Sequence, residues 1–169
     1  MRVRSSLVVN RPVDAVFAYV ADYRNDPEWR SEVREMRYVP EGDIGLGTHV
    51  IETSVLFGRR VVTESVITAF EPNRRVDFES VSGPFRVRGM RAVEAVGGAT
   101  RVTSELEWLP TSRVGRLVAP LMERSYQRTL DRYLMRLRTV LEEARATDAD
   151  DAPRLTCSWP RSCRREPHE

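Results

Sequence analysis

Apolar and polar positions alternate with period two along most of the chain and change to a period of three to four in two places. Residues 3–9 put Val3, Ser5, Leu7 and Val9 on one face and Arg4, Ser6 and Val8 on the other, which predicts a strand. Arg11-Pro12 then opens a helix, because proline suits the first helical position. Val13, Val16, Phe17 and Val20 form its apolar stripe, and it fades at residues 22–25. Asp26-Pro27-Glu28-Trp29 reads as a second, single-turn helix.

Six further strands follow, over 33–39, 48–57, 60–70, 75–81, 85–95 and 100–109. Turn residues separate them: Pro40 to Asp43, Gly58-Arg59, Glu71 to Arg74, Ser82-Gly83-Pro84 and Gly97-Gly98-Ala99. Strands joined by such short turns pair as an antiparallel meander. The last element is a long helix, with apolar residues recurring at helical spacing from Val114 through Leu130, Leu134 and Leu137 to Leu141. Pro120 near its start is a place for a kink or a delayed beginning.

The order predicts an α+β fold in which a seven-stranded curved antiparallel sheet wraps a long C-terminal helix, with two short helices after the first strand. One helix is the only element large enough to cover the buried face of that sheet. A strongly curved sheet does not close on a single helix along its whole length. The space left over is a natural apolar pocket for a small molecule.

The pattern stops near Ala146, so residues 1–146 read as the folded domain. Residues 147–169 are polar, aperiodic and proline-containing and read as a disordered tail. Both cysteines, Cys157 and Cys163, fall in this tail. Their spacing matches no zinc pattern; they read as exposed reduced thiols, with a regulatory disulfide as the alternative.

Composition narrows the chemistry. The chain has 169 residues, and all 27 of its basic residues are arginine. Without lysine there is no Schiff-base chemistry, no lysine-anchored pyridoxal phosphate and no P-loop lysine. The net charge of +2, with arginines interspersed among acids, lacks the basic footprint of a nucleic-acid binder. No apolar run approaches a membrane span and the N-terminus lacks a secretory leader, so a cytoplasmic protein, monomeric or homodimeric, is expected.

Several short motifs, in this order, resemble a known family: Val9-x-x-Pro12-x-x-x-Val16-Phe17 with Asp22 following, Pro27-Glu28-Trp29, Gly45-x-Gly47-Thr48, Phe70-Glu71-Pro72-x-Arg74-Arg75 and Gly98-Ala99-Thr100-Arg101-Val102, with the terminal helix after them. Together they are similar to the START-like SRPBCC superfamily, in its polyketide cyclase/dehydrase-like, lipid-binding branch. The resemblance implies a helix-grip fold with a deep hydrophobic cavity. It does not fix an activity, because one fold hosts many functions.

Alternation nominates cavity residues. The apolar face of 85–95 carries Phe85, Val87, Gly89, Arg91 and Val93, which puts Arg91 on the buried side. A buried guanidinium needs a partner: a ligand carboxylate or enolate oxygen, or a structural ion pair. The next strand points Ser104 and Trp108 inward, and 75–81 points Phe78 inward. Strand 48–57 stays open between two registers. One turns His49 and Phe57 inward and makes His49 a candidate acid or base; the other turns in Glu52 as the natural partner for Arg91. Trp29 caps the pocket or pins the short helix. Met122 and Tyr126 are the helix residues expected to approach the pocket.

Other chemistries are excluded. No G-x-S-x-G elbow is present, residues 1–146 contain no cysteine, and one histidine with scattered carboxylates makes no zinc site. No cofactor or metal is expected. The expected function is binding of a small hydrophobic, lipid-like or polycyclic, ligand. Two alternatives stand beside it: a cofactor-free polyketide cyclase/dehydratase in which Arg91 stabilises an enolate, and a protein-interaction subunit with a filled cavity.

Overall fold

The computed structural model describes residues 2–56, 58–83, 86–109 and 113–150, with backbone alone for 109, 113–122 and 144–150. Phe57, Phe85, the Met122 side chain and both cysteines lie outside the described residues.

Seven strands form one antiparallel sheet: β1 (Arg2–Val9), β2 (Val33–Val39), β3 (His49–Leu56), β4 (Arg59–Glu71), β5 (Arg75–Ser82), β6 (Arg86–Val96) and β7 (Ala99–Leu109). Their order across the sheet is β1-β7-β6-β5-β4-β3-β2, so β2 to β7 form a meander and β1 returns to pair with β7. The first strand and the helices after it therefore bridge the two ends of the sheet. These helices are α1 (Val13–Ala21), a 3-10 turn (Tyr23–Asn25) and α2 (Asp26–Trp29). The last helix, α3 (Arg113–Asp150), packs against β1 and α2. This is the helix-grip arrangement.

The period-two pattern explains the sheet. In β1, Val3 and Val9 are buried while Arg2, Arg4, Ser6 and Val8 are exposed. On α3 the spacing of Leu130, Tyr133, Leu134, Leu137 and Leu141 lines up one buried face. Tyr133, Leu134, Leu137 and Leu141 of that stripe join Val16, Phe17 and Val20 of α1 and Val76, Val93 and Val102 of the sheet in one core. Burying each large aliphatic side chain contributes roughly 1.5–3 kcal/mol.

Two boundary expectations change. Helix α3 runs through Pro120 without a break and continues to Asp150, four residues into the segment the sequence assigns to the tail. Alanine and aspartate carry no apolar stripe, so periodicity alone ends this helix early.

β3 takes the register in which Val50, Glu52 and Ser54 face the interior. Its two faces differ by only one apolar residue, so the pattern left them unranked. Packing ranks them: Glu52 and Ser54 hydrogen-bond inside the fold, while His49 stays half-exposed on the far side.

Candidate functional site

The core described above occupies one end of the grip, where α1 and the C-terminal half of α3 meet the sheet. Toward the other end the sheet and α3 part around a cavity of about 460 Å³. That volume lies in the range of small-molecule sites. The sheet supplies Met36, Val50, Leu56, Phe78, Val87, Leu106 and Trp108 to its wall. Helix α3 supplies Ser125, Tyr126, Thr129, Leu130 and Tyr133, and the segment around α2 supplies Tyr23, Trp29, Arg30 and Glu32.

Most of this wall is apolar, but one side is built from charge. Arg91 on β6 is 6% exposed and meets Asp26, which is fully buried at the start of α2. Its two terminal nitrogens donate to the two carboxylate oxygens, Nη1 to Oδ1 at 2.8 Å and Nη2 to Oδ2 at 2.6 Å. Nη1 also donates to the carbonyl of Val20 at 3.0 Å. The guanidinium lies 4.0 Å from the centre of the Tyr23 ring and 5.0 Å from that of Trp29. Burial disfavours this cation, but the Asp26 charge, Tyr23 and the hydrogen bonds to Asp26 together outweigh burial and raise its pKa further.

The chain of charges continues. Arg30, one turn after Asp26, donates to its Oδ2 at 2.8 Å. The same guanidinium bridges to Glu52 on β3, at 2.9 and 3.2 Å. Ser54 donates to Glu52 as well. Burial pushes the Glu52 pKa up; Arg30 and the Ser54 hydroxyl push it down harder, and it ends below the usual carboxylate range. Arg91, Asp26, Arg30 and Glu52 thus alternate in sign and tie β6, α2 and β3 together.

Glu32 stands beside this network and accepts hydrogen bonds from the hydroxyls of Tyr133 and Ser31. Burial raises its pKa, but these two bonds reverse the shift and keep it ionised. Tyr126 packs edge-to-face on Trp108, with ring centres 4.1 Å apart. Burial, then the nearby Glu52 and Glu32, hold its phenol protonated against the lowering effect of Arg30. Two polar atoms in cavity-lining residues are enclosed without a hydrogen-bond partner: the Tyr23 hydroxyl and the Trp29 indole nitrogen. Burial pushes the Tyr23 pKa up to about 12.

Gly89 allows the cavity floor to close. A Cβ there would come within 2.7 Å of the Glu105 carbonyl, 2.8 Å of the Phe78 ring and 2.9 Å of Leu106. Phe78 lies across this bare stretch of backbone.

Of the residues nominated from sequence, Trp29, Phe78, Arg91, Ser104, Trp108 and Tyr126 line this one cavity. His49 does not; it pairs with Glu64 at 2.7 Å on the outer side of the sheet. The partner of Arg91 is Asp26 rather than Glu52, because α2 places Asp26 within direct reach while Arg30 stands between Glu52 and the cluster. Ionic residues that single-residue reasoning passed over are Asp26, Arg30 and Glu32. The i, i+4 spacing of Asp26 and Arg30 was a signal for the first two; Glu32 had none. Among the described residues no group of three or more His, Cys, Asp or Glu is placed to hold a metal, and no helix is long and apolar enough to cross a membrane.

A family profile described as polyketide cyclase / dehydrase and lipid transport matches residues 1–142. No curated protein shows a significant sequence match. Among solved structures, protein TTHA0849 of Thermus thermophilus is similar, at 23% identity and a TM-score of 0.69 over 85% of this chain and 99% of that one. A START superfamily protein of Mycobacterium smegmatis superposes with a TM-score of 0.70 at 15% identity, over 85% of this chain and 98% of its own. The Zhui aromatase/cyclase of Streptomyces sp. R1128 does so at 0.65 and 14% identity, over 85% of this chain and 94% of its own. At these identities the likeness is one of fold. The profile match covers most of the chain, and the protein belongs to the polyketide cyclase/dehydrase and lipid transport family.

Proposed function

We propose that the protein binds a small hydrophobic ligand in the cavity between the sheet and α3. The carrying observation is the cavity itself, about 460 Å³ with a mainly apolar wall and one polar side. Such a space left dry and empty forfeits packing contacts, and an apolar guest restores them. Its size speaks against the reading in which a filled core serves only protein interaction.

The cyclase alternative asks Arg91 to stabilise an enolate. Both terminal nitrogens of that guanidinium are already engaged by Asp26 and the Val20 carbonyl. Releasing them would leave Asp26 as a buried carboxylate short of its main partner, which is costly. His49, the other proposed proton carrier, lies outside the cavity. Both points support binding over catalysis. The reading takes the protein to be cytoplasmic and to need no cofactor.

A thermal-shift screen of the full chain against uncharged polycycles, sterols and isoprenoids tests it. A ligand at 100 times its Kd adds ~2.7 kcal/mol of stability, a rise of roughly 5 °C or more for a chain this size. Turnover assays on any polyketide that shifts the melting point decide the cyclase alternative.

A further inference from the structure

The polar side of the cavity has a definite sign and a definite hydrogen-bonding character. Its two arginines are both spent: Arg91 on Asp26 and Val20, Arg30 on Asp26 and Glu52. Asp26 and Glu52 balance them, and Glu105, which also lines the cavity, is held by Arg2. Glu32 is left over. Its hydrogen-bond partners, Tyr133 and Ser31, are neutral hydroxyls, and the cation whose charge reaches it, Arg30, is already paired with Asp26 and Glu52, so among the described residues no ion pair holds it.

A carboxylate offers about four acceptor sites over two oxygens. Two hydroxyls and its own backbone N–H reach Glu32, leaving acceptor capacity for one further donor. A ligand hydroxyl gives its proton to Glu32 and fills that remaining acceptor site. A ligand carboxylate accepts only, and brings a second negative charge beside Glu32.

We propose that the cavity selects an uncharged hydrophobe bearing a hydroxyl, phenol or enol, and discriminates against carboxylate-bearing lipids, with Glu32 as the residue that sets this preference. The proposal rests on the ligand-binding reading and names its substrate class.

Three probes on one scaffold test it at pH 7.5: naphthalene, 2-naphthol and 2-naphthoate, each competing with the fluorophore 1-aminoanthracene on the full chain. Naphthol is expected to compete at least about tenfold better than naphthoate, with naphthalene between them. Glu32→Gln removes the unmatched charge, and naphthoate should close most of that gap. Naphthoate competing as well as naphthol in the wild-type chain overturns the proposal, and so does a ratio unchanged in Glu32→Gln. If naphthalene and the fluorophore bind while naphthoate wins, only the selectivity fails. If no probe and no fluorophore binds, the cavity reading falls with it.

Discussion

Arg91 and Asp26 meet through two parallel hydrogen bonds of 2.8 and 2.6 Å, with Asp26 fully buried. The pair fastens α2, which carries Trp29 at the cavity wall, to the centre of the sheet. Removing one partner strands the other as a buried charge, which typically costs 3–5 kcal/mol. Asp26→Asn is therefore expected to lower the melting temperature by about 10 °C or more. Replacing both, as Asp26→Leu with Arg91→Met, removes the stranded charge, and chemical denaturation should show much of the loss recovered. Equal losses in the single and double variants would contradict the pairing.

Acid should weaken the fold through Glu52 and Glu32. Both have folded-state pKa values below their ordinary range. Their stabilisation is present above the ordinary glutamate value of about 4.3 and is lost as pH falls through the lower folded values. Urea midpoints should hold steady from pH 7 to about 5 and drop below about 4. Glu52→Gln should flatten that drop; a wild-type midpoint unchanged at about pH 3 would contradict it.

Gly89 leaves no room for a side chain. Gly89→Ala forces a methyl group against the Glu105 carbonyl and the Phe78 ring. Overpacking of this kind costs about 1–3 kcal/mol. Denaturant titration should show that loss, and the displaced Phe78 should reduce ligand affinity.

His49 stands outside the ligand chemistry. It is half-exposed and paired with Glu64 across β3 and β4. His49→Ala should leave ligand affinity unchanged in the same titration, and an exposed pair of this kind adds about 0–1 kcal/mol of stability. A loss of affinity above about threefold would return His49 to the site.

How much of this was legible in the sequence follows from what periodicity reports. Alternation reports which face is buried, so the seven strands, the long helix and the inward placement of Arg91, Ser104 and Trp108 could be read from it. It falls silent where the buried face is itself polar. β3 turns Glu52 and Ser54 inward, where Glu52 is held by Arg30 from a distant turn, so neither register was preferred. The Arg91 partner was obscured for the same reason. Asp26 sits in a four-residue helix whose sequence reads as an ordinary exposed turn, and only the tertiary fold brings it to β6, 65 positions away. A charge made neutral by its neighbours leaves no mark on the local pattern.

The measurement that tests the central claim most directly is a titration of the full chain with 1-aminoanthracene, followed by energy transfer from tryptophan, since Trp29 and Trp108 both line the cavity. The same titration is run on Ser104→Phe, which places a ring in that space. The account predicts saturable binding at one site in the wild-type chain and its loss in Ser104→Phe, with the variant still folded by circular dichroism. Absence of saturable transfer, or equal binding by a folded Ser104→Phe, would contradict a ligand-holding cavity.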